Sequence, residues 1–188
     1  MGLPGADGVG DDDVFYDTYL APLETRMLRT TWRITHDPDR ARDALQDAMA
    51  RIWTHRERVR SHPNPAALVL RIAIQAAIDV RRREGHRWRI EVQTTPRAAS
   101  GTGDADPGAT AERREARGLV LDAIARLPER QATAVTMRLM EDAPYEAIAA
   151  ALGCAEPTAR VHVLRGREKL KRLLHTLAPG TRADGGEP

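Results

Sequence analysis

Apolar side chains recur at spacings of three and four along most of this chain, and almost no strand signal is set against them. That spacing puts them on one face of a helix, so the chain is confined to all-α architectures. Val14, Phe15, Tyr19, Leu23, Met27 and Trp32 predict an amphipathic helix over roughly residues 12–34. Asp37-Pro38 then restarts the pattern, because Asp caps free amides and Pro suits a first helical position. The second helix is expected to reach about Arg58, burying Ala41, Leu45, Ala48, Met49 and Ile52. Asn64-Pro65 repeats the signal and opens a third helix through Ile72, Ala76 and Val80 to Arg83. Three such helices make a module of about 80 residues, small but able to fold alone.

From Glu91 to Thr110 the periodicity vanishes into Gly, Pro, Thr, Ala and Asp, the composition of a flexible linker. GTGDAD within it resembles a phosphate-binding loop only superficially, since no strand precedes it and the third glycine is missing. A second helical module follows, with Leu119, Ile124 and Leu127 on its first helix, Pro128 as punctuation, and Ala132, Val135 and Leu139 continuing the stripe. The expected organisation is therefore an acidic tail at 1–12, a first domain at 13–90, a linker at 91–110, a second domain at 111–177 and a tail at 178–188. A linker of this kind lets the modules close on each other or clasp a partner.

Composition removes other classes. The chain has 188 residues and only 4% aromatics, which argues against β-sandwiches and barrels. No run approaches the roughly 20 apolar residues of a membrane helix, so no membrane insertion is expected. Residues 1–18 carry five Asp and no Lys or Arg, unlike a signal or transit peptide. A single cysteine, Cys154, excludes an intramolecular disulfide and a cysteine-based zinc site. A cytoplasmic protein is expected. The six histidines (36, 55, 62, 86, 162, 175) show no paired metal spacing and no nucleophile motif is present, so neither an enzyme nor a bound cofactor or metal is expected.

The net charge is only +2, but residues 81–89 carry five Arg against Glu84, and residues 160–172 carry six basic residues against Glu168. Two such clusters fit two contacts with a polyanion, or two solvated helix ends. The second cluster lies in PYEAIAAALG-CAEP-TARVHVLRGREKLKRLL, which reads as helix, turn, helix. Gly153 stands where a helix closes through a left-handed residue. Ala159, Val163, Gly166, Leu170 and Leu173 form an inward stripe, leaving Thr158, Arg160, Val161, His162 and Arg165 outward. A helix-turn-helix docks such a face in the major groove.

The segments DPDRARDALQDAMARIW, RIAIQAAIDVRRR, ARLPERQATAV and YEAIAAALG with its following helix, in this order, resemble bacterial sigma factors of the sigma-70 superfamily, of the short extracytoplasmic-function (ECF) type. The resemblance covers about residues 14–90 and 117–176. It implies a region 2 helical bundle and a region 4 helix-turn-helix, which direct core RNA polymerase to promoters and help melt them. Asp43, Gln46 and Asp47 would face the clamp helices of the largest polymerase subunit, with a further subunit contacting region 4. Gln75, Asp79, Arg82 and Arg83 would serve the −10 element, Arg82 and Arg83 holding phosphates and Asp79 orienting an arginine. The loop around Arg58 to Asn64 would capture unstacked bases, and Trp88 would stack on a base or cap a small core. Thr158, Arg160, His162 and Arg165 would read the −35 element. Many relatives are held by an anti-sigma factor, although nothing here identifies one.

Departures accompany the match. Arg42 stands where the family is usually acidic, Gln75 where it has Asn, Ala67 where it has Trp, and Val161 at a usually polar position. Ala155 replaces a capping Ser, at a cost of about 1 kcal/mol. Gly166 replaces an Ala inside the recognition helix, which propensity also sets at about 1 kcal/mol. These departures keep two alternatives open: a sigma-like protein that binds polymerase or a regulator without initiating, and a stand-alone helix-turn-helix repressor.

Overall fold

A computed structural model describes residues 10–92 and 111–177, with backbone alone for 84–92, Ala111 and Leu177. Most of the expected tails and linker therefore lie outside the described residues, as does the Trp88 side chain. The described residues form helices joined by short turns, with no strand among them: α1 (Asp11–Phe15), a π-helical turn (Tyr16–Leu20), α2 (Ala21–Thr35), α3 (Pro38–Thr54), α4 (Arg56–Arg60), α5 (Pro65–Val92), α6 (Ala111–Ala125), α7 (Glu129–Met140), α8 (Tyr145–Leu152) and α9 (Glu156–Leu177).

The boundaries follow local chemistry. The single helix expected over residues 12–34 is divided, because Pro22 has no amide and its ring is tolerated only in a first turn. The chain rewinds through Tyr16–Leu20 just before it. Asp37 caps α3 by accepting the Arg40 amide at 3.0 Å, and Asn64 caps α5 by accepting the Ala67 amide at 3.0 Å. α2 ends on His36, whose φ of 54° is left-handed, with its amide donating to the Trp32 carbonyl at 2.8 Å. Where one helix was expected to reach Arg58, His55 breaks it and α4 follows. α5 runs on to Val92, past the expected start of the linker.

α5 is the central element. It packs on α2 and α3, and also on α6, α7 and α8. Double coverage explains why Ala67–Leu70, Ala73, Ile74 and Ala76–Ile78 are all buried, more than one helical face can supply. Each fully buried large side chain, such as Ile74, contributes about 1.5–3 kcal/mol of apolar transfer. α7 is enclosed in the same way, between α9 and α5, so Ala132–Met137 are buried without interruption. That enclosure overturns part of the expected stripe, since Leu139 is 52% exposed while Met137 is buried. Val14, expected inside, is 50% exposed, and Phe15 beside it is fully buried. On α6 the fully buried anchor is Leu121, with Ala123 and Ile124, while Leu119 is only partly covered.

Candidate nucleic-acid and protein interfaces

On α3, Ala41, Ala44, Ala48 and Ile52 face the core. Asp43, Gln46 and Asp47 therefore stand on the opposite side and line a shallow groove with Val80 and Arg83 of α5. Asp47 is partly committed, with Oδ2 at 3.3 Å from Arg83 Nη2 and 3.7 Å from Arg51 Nη2. Asp43 is exposed and carries no ion pair among the described residues, so its carboxylate is available to a partner's arginine. Arg42 leans on Asp39, Nη1 to Oδ1 3.0 Å, in an exposed pair.

On α5, Gln75, Asp79 and Arg82 line one small pocket. Arg83, one residue and some 100° further round, does not join them and faces Asp47 instead. Asp79 accepts from Arg51 at 3.2 Å and lies 3.7 Å from Arg82, which makes it a holder of arginines. The Gln75 amide donates to the Glu129 carboxylate of α7. Arg82 donates through Nε to the Ala125 carbonyl (2.7 Å) and through Nη2 to the Leu127 carbonyl (2.9 Å). Both side chains thus already serve the second domain.

Other side chains of this surface were not singled out as site residues in the sequence. Arg71 donates to the Ala151 carbonyl at 2.7 Å, and His62 Nε2 lies 3.1 Å from the Ala150 carbonyl. Arg81 reaches Asp122 and the Gly118 carbonyl, at 2.9 and 3.0 Å. Arg71 precedes Gln75 by one turn, a spacing that could have found it; the others touch groups with no sequence signature. The expected capture loop at Arg58–Asn64 is partly helical, and its His62 is one of these contacts.

α8 closes on Gly153 at φ 62°, where the Gly153 and Cys154 amides donate back to the Ala150 and Ala149 carbonyls. α9 buries Ala159, Val163, Gly166 and Leu170, as the stripe predicts, and partly covers Leu173. Thr158, Arg160, Val161 and Arg165 are exposed and His162 is half-buried. The Arg160 guanidinium lies 4.2 Å over the Tyr145 ring and pairs with Glu156, so it is positioned by its own domain. Arg165 has no acidic partner among the described residues. Burial, with Arg130 and Arg165 beside it, holds the His162 pKa below the ordinary range, so the ring is neutral at pH 7.

Gly166 corrects an expectation. A Cβ there would lie 2.5 Å from Val135 Cγ2 and 3.2 Å from the Gln131 carbonyl. Glycine is what lets α9 approach α7, and is no weakness of the helix. Ala155 does lack a capping oxygen; only its carbonyl takes part, accepting the Thr158 and Ala159 amides. Among the described residues no group of His, Cys, Asp and Glu could hold a metal ion, and no helix is long and apolar enough to cross a membrane.

Comparison with known proteins agrees with this architecture. Residues 19–87 match the family profile Sigma-70 region 2, and residues 117–170 match Sigma-70, region 4. The RNA polymerase sigma-H factor of Pseudomonas aeruginosa is 28% identical over 174 residues, 89% of this chain and 90% of that protein. The RNA polymerase sigma-E factor of Streptomyces coelicolor is 28% identical over 163 residues, 85% of each. The sigma factor RpoE of Bartonella quintana, solved in complex with the anti-sigma factor NepR, shares the fold, with a TM-score of 0.51 at 20% identity over 89% of this chain and 98% of that one. With both regions matched in order across most of its length, the chain belongs to the sigma-70 family of RNA polymerase sigma factors, of the ECF type.

Proposed function

We propose that this sigma factor divides its work among three surfaces. The α3 groove, with Asp43 as its free carboxylate and Gln46 and Asp47 beside it, docks on basic residues of the core polymerase clamp. The α5 face, with Gln75 and Arg82, takes the −10 strand; Asp79 positions Arg82 and Arg51. The α9 face reads the −35 duplex, with Arg165 and Thr158 facing the DNA, His162 neutral, and Arg160 held by Tyr145 at its edge. Sigma action of this kind needs no covalent chemistry: strand separation costs a few kcal/mol per unstacked step and is offset by capture of the bases.

The observation that carries this reading is α9, whose inward residues are buried in its own domain while its basic outward face is left open. Retention of core RNA polymerase in a pull-down, beside the double variant D43A/D47A, tests the docking surface. The parent should be retained and the variant lost. Arg165→Ala should keep polymerase but weaken holoenzyme binding to promoter duplex. Unchanged promoter affinity would remove α9 from the −35 role.

A further inference from the structure

The recognition helix carries two ridges. Ala159, Val163, Gly166 and Leu170 form the buried one, packed within the second domain. Thr158, Val161 and Arg165 recur at spacings of three and four on the opposite side, so they form a second ridge that points to solvent. Val161 stands at its centre, 41% exposed, and Leu164 beside it is 58% exposed. The flanks are fixed. The Arg160 guanidinium is held by Glu156 and the Tyr145 ring, and His162 is half-buried. Of the three side chains on the outward ridge, Val161 alone has no polar atom.

An apolar side chain at the crest of a reading helix is a selective element. In the major groove the base edges present donors and acceptors, and the one apolar feature is the C5 methyl of thymine. Val161 set against that methyl takes two apolar groups out of water at once. Set against the amine of cytosine or adenine, or the carbonyl of guanine, it strips water from a polar group and supplies no hydrogen bond. It therefore favours thymine by attraction and opposes the other bases by desolvation. A protein partner is a poorer fit to the same spot, since two apolar side chains bounded by Arg160 and Arg165 fall short of an apolar docking patch.

We propose that Val161 is a specificity-determining residue of this sigma factor, reading the methyl group of one thymine in the −35 element, with Thr158 and Arg165 engaging the DNA on either side. The inference rests on the α9 reading above and adds a base to it: a T·A pair where Val161 meets the groove. A polar side chain, usual at this position in the family, would hydrogen-bond a base edge instead, so the preference belongs to this chain.

The test uses holoenzyme assembled from the full chain and bacterial core RNA polymerase. The probe is a promoter-length duplex library with a randomised upstream window, from which the holoenzyme selects its −35 element. The selected duplex is then remade with each thymine of that element replaced in turn by deoxyuridine, which removes the methyl and nothing else. At one thymine the replacement should weaken binding about fourfold, the value of one methyl-sized apolar group taken out of water. Val161→Ala should weaken binding to the thymine duplex by a similar factor and make it indifferent to that replacement, so the two changes are coupled rather than additive. A repeated selection with Val161→Ser should lose the thymine preference at that position alone. Val161 is exposed, so both variants should keep their circular dichroism and their retention of polymerase.

A selected element without thymine, or a deoxyuridine scan that leaves the parent's affinity flat, overturns the methyl contact. A thymine whose replacement weakens parent and Val161→Ala equally overturns the assignment to Val161. Arg165→Ala separates these results from failure of the underlying reading. With a flat scan, promoter affinity that Arg165→Ala weakens leaves α9 on the −35 duplex and refutes the Val161 contact alone. Affinity that it leaves unchanged removes α9 from that role, and Val161 with it.

Discussion

At the residue scale, Gly166 shows how far propensity can mislead. In isolation Gly→Ala favours a helix by about 1 kcal/mol. Here the added methyl would lie 2.5 Å from Val135 Cγ2, and a β-branched side chain has little freedom to yield. Overpacking of this kind costs about 1–3 kcal/mol, so Gly166→Ala should destabilise the protein in urea, against the propensity. Adding Val135→Ala should recover part of the loss; a double-mutant cycle without coupling would refute the steric account. Nothing in the sequence announced this, because the clash is with a residue 31 positions away on another helix. His36 is similar. It was legible as a histidine, but not as a left-handed cap whose pKa is lowered by burial and by Arg117 and Arg81. The unfolded chain takes up this proton near 6.5, while the folded chain resists it to lower pH. Stability is therefore complete above that value and is lost as pH falls below it. His36→Asn tolerates the same backbone without titrating. Its denaturation midpoint should fall less between about pH 7 and 5.5 than the parent's, and an equal fall would assign the acid sensitivity elsewhere.

At the scale of elements, starts were more legible than ends. Asp37-Pro38 and Asn64-Pro65 declare caps through one side chain and one fixed φ, and both caps form. Gly153 likewise declares a helix end. The break at His55 has no comparable signal, although Pro22 did announce the break before α2, and the burial of α5 and α7 on more than one face erased the periodicity that would have separated Met137 from Leu139. The stripe of α9 was read correctly, because its main packing partners, α6, α7 and α8, belong to its own domain and it keeps a solvent face. Its missing cap is a testable consequence. Ala155 supplies a carbonyl but no side-chain acceptor. A cap oxygen would have little to accept, since Pro157 at the second helical position has no amide and the Thr158 amide already donates to the Ala155 carbonyl at 2.9 Å. Ala155→Ser should therefore shift the denaturation midpoint by well under the usual ~1 kcal/mol of a cap, with unchanged urea dependence, and a full gain of that size would refute this account of the first turn.

For the whole molecule, the two domains and their order were legible, since each has its own apolar periodicity and a composition break separates them. Their docking was not. Gln75 meets Glu129, Arg33 meets the Met140 carbonyl and His62 meets the Ala150 carbonyl, and backbone acceptors leave no trace in a sequence. The same arginine-rich face reads equally well in a sequence as a phosphate surface or as a dock for helix ends, because an arginine fork offers both the same N–H donors. Only the folded partner decides which acceptors it meets: Gln75 finds Glu129 of α7, Arg71 the Ala151 carbonyl of α8 and Arg82 the Ala125 carbonyl that ends α6.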